Sequence, residues 1–339
     1  MKNQRRWPAE WERHAATWMA WPSRMSIWDD YQLACHAYAD VANAISESEP
    51  VKLMINDSKA HIQLAKLHLS SSIELIHIPI DDSWARDTMA SFVYKDESID
   101  QTLIPVNWQF NAWGEKFNPY FHDQNQVNYL ADKLHWQVES CQMVLEGGSI
   151  HTNGKGVLLT TKECLIDAKR NPNLNQQQIE ALLAKHLNCN TIIWLPFGIA
   201  NDTDTDGHID NVACFINHNT ILIQSCHNRL DANYHRHQAN LNYLKQQPFN
   251  LIELPKPEPI KFKGELLALS YLNFYIANDQ IIMPLFKQKK HDENAKAILK
   301  ECFPKHQITC IDTAMTIATG GGGIHCITMQ QPQGIIQCA

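Results

Sequence analysis

The order of elements recurs along this chain, and that order limits the fold more than any single motif. Hydrophobic periodicity reads as helix, strand, polar loop and hairpin, again and again. After a helix at 31–46 and a buried strand at 51–55, the first pass has helix 58–69 and strand 73–80. Its loop is Asp81-Asp82-Ser83-Trp84-Ala85-Arg86-Asp87, and its hairpin is 89–94 with 102–106. The second has helix 123–134, a strand ending near Leu145, the loop Glu146-Gly147-Gly148, and a hairpin (149–152, 157–161) turned by Asn153-Gly154. The third runs through helix 175–187, strand 191–195, a loop from Asn201 to His208, and hairpin 209–216 with 220–224. The fourth has helix 231–246, strand 250–254, a Pro-rich link, and hairpin 269–277 with 280–286. The fifth has helix 292–303, strand 307–311, then Gly320-Gly321-Gly322-Gly323-Ile324-His325-Cys326 leading a short strand at 324–328.

That last unit lacks a second hairpin strand, and 17–21 is strand-like with no partner. Pairing the two would close a ring of five α/β units in one domain spanning 1–339. A doubly wound sheet does not account for the recurrent hairpins. In a ring the polar loops converge on the axis, which brings together Trp84, Asp87, Glu146, His208, Asp210 and Cys326. The four glycines free the backbone to approach a ligand closely and give the Cys326 thiol room to be reached, so Gly322 and Gly323 are expected beside a substrate. No Gly-Lys-Ser/Thr follows them, which argues against a phosphate cradle.

Bulk properties exclude several classes. Hydrophobic residues make up 44% and charged residues 19%, enough for a full globular core. A net charge of −7 argues against broad nucleic-acid binding and is compatible with a cationic small substrate. The ten cysteines form no CxxC pair, against a zinc ribbon or a disulfide framework. The N-terminal Met1 to Pro8 has no apolar core and no run is long enough to span a membrane, so a cytoplasmic, reduced protein is expected. Asp202-x-Asp204-x-Asp206-Gly207 imitates the first half of a calcium loop. Its twelfth position is Ala213 where a bidentate Glu is required, and a strand and proline precede it rather than a helix.

A cysteine nucleophile, a histidine acid/base and two or three carboxylates suit attack on a planar cationic carbon. Guanidinium is such a target: two carboxylates can each accept a pair of its N–H groups and leave the carbon open to a thiolate. Neither a metal nor an organic cofactor is required. The motifs that carry these groups have further company in Trp7-Pro8-Ala9-Glu10-Trp11-Glu12, Trp18-Met19-Ala20-Trp21-Pro22, Phe110-Asn111-Ala112-Trp113-Gly114, Leu145-Glu146-Gly147-Gly148-Ser149-Ile150-His151 and Asp206-Gly207-His208-Ile209-Asp210-Asn211. Together with the Asp82–Asp87 and Gly320–Thr328 stretches, they resemble the agmatine deiminases of the peptidylarginine-deiminase-like family over nearly the whole chain.

The resemblance implies a five-bladed α/β propeller of pentein type. It implies Cys326 as nucleophile, His208 as acid/base, Asp87 and Asp210 as guanidinium clamps, and Glu146 beside them. Trp84 would pack on the substrate's methylene chain, and Asp204 is the candidate for a distal ammonium. Agmatine would be hydrolysed to N-carbamoylputrescine and ammonia; the oligomeric state is left open, a homo-oligomer included. The chain departs from the family pattern in Met89-Ala90 where Gly-Pro is usual, Gly323 where Asn is usual, Met329 where Gln is usual, and a shorter segment before Tyr271-Leu272-Asn273-Phe274. These departures bear on the substrate's tail. Three other readings remain: a deiminase of free or peptide-terminal arginine, for whose carboxylate Arg86 is the nearest cation; an amidinotransferase; and a non-catalytic guanidinium- or polyamine-binding module.

Overall fold

The computed structural model describes residues 5–96 and 101–338. The first four residues of the N-terminal stretch and part of the polar turn expected after Tyr94 lie outside the described residues. The chain is α/β, with five sheets built on one plan. In each, a short strand runs antiparallel to a second, and a helix carries the chain from the second to a third strand parallel to it, as a parallel pair requires. Ser91–Tyr94, Thr102–Gln109, helix Gln126–Leu134 and Glu139–Val144 make one such set. Ile150–Thr152, Val157–Thr161, helix Gln176–Leu187 and Thr191–Leu195 make the next. Ala213–Asn217, Thr220–Ser225, helix Asn233–Leu244 and Asn250–Pro255 follow. Tyr275–Ile276, Gln280–Pro284, helix Lys289–Cys302 and Gln307–Ile311 are the fourth set. The fifth takes its antiparallel strand from the far end of the chain: Met329–Pro332 pairs with His14–Ala20, which lies parallel to Val51–Ile55 after helix Tyr31–Ser46.

The pairing of the chain's two ends therefore exists, but not where the sequence put it. Thr17 faces Gln330 and Trp18 faces Met329. The expected strand at 324–328 is instead a 3₁₀ turn, His325–Ile327, pinned where the Thr328 hydroxyl donates to the carbonyls of Ile324 (3.0 Å) and His325 (3.1 Å). β-branched Ile and Thr favour strand only weakly, and here the turn wins. The same correction applies at 209–216, where Ile209–Asn211 is a 3₁₀ turn and the strand starts at Ala213. One tight turn thus stands just before the first strand of four sheets: Ala85–Thr88, Gly147–Ser149, Ile209–Asn211 and His325–Ile327.

The helices follow their local chemistry. Gln176–Leu187 opens with a reciprocal capping box between Asn175 and Gln178 and closes on Asn188 at φ 56°. It buries Ile179, Leu183 and Leu187, spaced four apart, against Leu158 and Trp194. Each such side chain is worth about 1.5–3 kcal/mol. Among the helices that escaped the sequence is Ala314–Thr319. Its Thr and Ile content reads as strand or loop, yet Ala314 and Ile317 are buried in the same core as the Tyr31–Ser46 helix, and that packing decides it. The Pro-rich link also holds a small hairpin, Lys261–Phe262 with Glu265–Leu266.

Candidate active site

The four tight turns point their side chains at one place, because each sits at the same step of its sheet. His325–Ile327 supplies Cys326, Ala85–Thr88 supplies Asp87, Ile209–Asn211 supplies Asp210 with His208 just before it, and Gly147–Ser149 follows Glu146. All five side chains are buried. The convergence expected from the sequence is thus present for Cys326, His208, Asp87, Asp210 and Glu146.

Asp210 is the hub. Its Oδ2 lies 3.0 Å from His325 Nδ1 and accepts from the Cys326 thiol at 3.6 Å. Its Oδ1 is buried with no hydrogen-bond partner among the described residues. Burial alone would raise this carboxyl, but the bond to His325 brings it below its usual value. His325 in turn has its Nε2 2.9 Å from Glu10 Oε2. Asp87 accepts from the Gly148 amide at 2.9 Å and from Trp113 Nε1 at 2.8 Å. Burial raises it, with Asp210 and Glu146 adding repulsion against the pull of His208.

His208 stands between acids, Nδ1 3.9 Å from Asp87 Oδ2 and Nε2 3.7 Å from Glu146 Oε2. Both are too long for hydrogen bonds, and Nε2 is buried without a partner among the described residues. Burial disfavours its charge, but Asp87 and its other neighbours outweigh burial and hold the ring well above the ordinary histidine value. Cys326 goes the other way: burial, then Asp210 and Asp87, push its thiol well above the usual range. Glu146 resists the rise that burial would cause, because Arg170 holds its carboxyl at about 2. Arg170 Nε donates to both Glu146 oxygens at 2.8 and 3.1 Å, and its other nitrogens reach Asp206 Oδ2 at 2.9 Å and the Thr205 carbonyl at 2.8 Å. Arg170→Met is expected to cost about 3–5 kcal/mol of folding stability by stranding a buried carboxylate, read as a lower denaturation midpoint.

A cavity of about 380 Å³, partly open to solvent, leads down to Cys326. Asp82, Asp87 and Asp204 line it, with Trp84, Trp113, Phe117 and Ile27 as apolar wall and Gly320, Gly321 and Gly322 as floor. No Lys or Arg lines it among the described residues. A Cβ on Gly322 would stand 2.4 Å from the Trp84 ring, so the ring can close on the backbone only because this residue is glycine. Gly323 is different: it does not line the cavity, and its Cα side faces Asn273, where a Cβ would meet Oδ1 at 2.3 Å. Arg86, the nearest cation for a substrate carboxylate, lies behind the nucleophile's turn, donating to the His325 carbonyl (3.3 Å) and Gln330 Oε1 (2.8 Å).

The neighbours of Asp204 in its acidic stretch, Asp202 and Asp206, are committed elsewhere. Asp202 accepts from the amides of Thr205 and Gly207, both at 3.0 Å, while Asp206 pairs with Lys116 at 2.6 Å and with Arg170. Among the described residues one cluster has metal-ligand chemistry: Glu146, Cys164 and His208, buried and mutually within 4.8 Å. Arg170 already holds both oxygens of Glu146, and its fixed charge opposes a second cation there. Sequence reasoning missed Arg170, which carries no motif, and the role of Trp113. Trp113 stands in a run of left-handed backbone with Ala112 (φ 52°), Trp113 (φ 56°) and Glu115 (φ 63°), a costly conformation that aims its indole at Asp87.

Residues 6–332 match the model of the Porphyromonas-type peptidyl-arginine deiminases. The agmatine deiminase of Ectopseudomonas mendocina is 37% identical, over 96% of this chain and 95% of that one. Among solved structures, a Cys-to-Ser variant of the C. jejuni agmatine deiminase with substrate bound superposes with a TM-score of 0.90 at 29% identity, covering 98% of this chain and 97% of that one. The agmatine deiminase of Enterococcus faecalis superposes equally, TM-score 0.90 at 30% identity, over 97% and 96%.

Proposed function

This chain belongs to the Porphyromonas-type peptidyl-arginine deiminase family, and from that premise we propose that it hydrolyses agmatine to N-carbamoylputrescine and ammonia. The observation that carries the substrate is the cavity above Cys326: three carboxylates, aromatic walls, and no cation among its lining residues. Agmatine matches it at both ends. Its guanidinium seats between Asp87 and Asp210, giving N–H groups to the unpartnered Asp210 Oδ1. Its methylene chain packs on Trp84 and Phe117, and its distal ammonium meets Asp204. That carboxyl is raised by burial and by Asp202 against the pull of Lys116, so a cation in the cavity restores its charge. The five sheets are the blades of one propeller domain, with this site on its axis.

The chemistry follows from the charges. Asp210 and Asp87 raise the thiol; a guanidinium seated between them offsets both, so substrate binding goes with loss of the thiol proton to solvent. The thiolate adds to the guanidinium carbon. His208, protonated in the resting site, gives its proton to the departing amine, which leaves as ammonia and lets the thiouronium form on Cys326. The neutral ring then takes a proton from water as it attacks the same carbon, and collapse releases the carbamoyl product and the thiolate. Glu146, kept anionic by Arg170, faces His208 throughout and favours its charged form.

The test is product formation from agmatine and free arginine side by side. Arginine would bury its carboxylate in an acidic pocket without a cation, so kcat/KM is expected to favour agmatine by on the order of a thousandfold. Comparable rates on the two would overturn the assignment.

A further inference from the structure

Four sheets contribute a turn and a side chain to the site; the remaining one contributes Asn273. We infer that Asn273 is a sixth catalytic residue, whose side-chain N–H holds the Cys326 sulfur as a thiolate. This rests on Cys326 being the nucleophile. Asn273 is buried, in the bend that precedes Tyr275–Ile276, and its Nδ2 donates to Cys326 Sγ at 3.3 Å. Which end of an amide faces a sulfur is fixed here by its other partners. Oδ1 accepts from the backbone N–H of His325 at 2.9 Å and of Cys326 at 3.4 Å. Nδ2 also donates to Asn211 Oδ1 at 3.1 Å. Turned over, the amide would set its N–H₂ against two backbone N–H groups and its oxygen against another oxygen.

The arrangement distinguishes the two forms of the nucleophile. As a thiol, Cys326 can donate to Asn273 Oδ1 at 3.4 Å or to Asp210 Oδ2 at 3.6 Å. As a thiolate it can only accept, and the carboxylates repel it; the amide N–H is the side-chain donor already in place. Bonds to an ionised partner are the stronger kind, so this contact favours the reactive state over the resting one. The Asn273 side chain and the Gly323 amide both act on the thiol in that direction, against burial and the two aspartates. Gly323 makes the contact sterically feasible, since a Cβ there would occupy the place of Asn273 Oδ1. That assigns Gly323 a role in shaping the nucleophile rather than in touching the substrate.

The experiment compares Asn273→Asp with Asn273→Ala. Asp keeps an acceptor for the two backbone N–H groups and replaces the donor with a second oxygen. The readouts are the pH dependence of Cys326 alkylation by a small haloacetamidine without substrate, located by peptide mass, and kcat on agmatine. A donor role predicts alkylation midpoints shifted up by about one pH unit in the Ala variant and further in Asp, with kcat down at least about tenfold and Asp the worse of the two. A purely structural role predicts the reverse order, Asp near wild type and Ala impaired. That order, or unshifted midpoints in both, would overturn the inference. Gly323→Ala, which displaces the amide from the other side, should shift the midpoint in the same direction and gives a third reading if the Ala variant does not fold. Wild-type alkylation with no agmatine turnover would instead count against the proposed substrate, leaving the role of Asn273 to the alkylation profile.

Discussion

Cys326→Ser is expected to abolish ammonia release from agmatine, by at least about 10⁴-fold in kcat, while agmatine still binds within about threefold of its original affinity. The alcohol is nearly isosteric and, like the resting thiol, neutral, so the pocket's charge balance before reaction is unchanged. What disappears is a group that can be ionised beside two carboxylates once the guanidinium arrives; a serine hydroxyl stays protonated there. His208→Gln should share this pattern, because it removes proton transfer and leaves the clamp. Calorimetric titration alongside ammonia release measures both quantities. Near-wild-type turnover by the Ser variant would mean that the carboxylates activate water directly, and the nucleophile assignment would fall.

Asp210→Asn should behave differently, losing binding and turnover together, by on the order of 10⁴-fold in kcat/KM. The carboxylate bonds to His325 and touches the Cys326 thiol, and its buried Oδ1, without a hydrogen-bond partner among the described residues, is left to take the proposed guanidinium. An amide satisfies one of these at most and presents a donor where the guanidinium brings its own. Asp87→Asn is expected to follow the same pattern with a smaller loss, since its oxygens already accept from Gly148 and Trp113. If either variant kept agmatine affinity while losing only kcat, the clamp would have to be assigned to other groups.

The sequence was informative where chemistry and periodicity coincide. The Tyr31–Ser46, Val51–Ile55, Thr191–Leu195 and Gln307–Ile311 elements have the bounds read from pattern alone, because each is flanked by clear turn or cap residues. The loops were marked by the recurrence of polar residues at equivalent points of the units, Trp84 and Asp87 in one, His208 and Asp210 in another. What failed was local propensity near the site. Ile324 to Thr328 reads as strand, and the turn that places Cys326 is imposed by Thr328 and Asn273, neither of which periodicity can see. Asn273 itself went unassigned because its loop carries no carboxylate or histidine to mark it, although Tyr271-Leu272-Asn273-Phe274 was noted as a landmark. Arg170 and Trp113 act at a distance in sequence of 24 and 26 residues from Glu146 and Asp87, and only the fold brings them to their carboxylates.

The pairing of His14–Ala20 with Met329–Pro332 bears on how this protein is made. Trp18 Nε1 donates to Gln331 Oε1 across 313 residues of chain, and Cys326 stands three residues before the strand that this pairing fixes. During synthesis His14–Ala20 emerges long before Met329–Pro332, and until that strand is made one of its edges stays unmatched. Contacts of such long separation form late. A chain that stops short of Met329 can therefore assemble the four intermediate sheets while the edge of His14–Ala20 stays open, with no strand after Cys326 to anchor the turn that carries it.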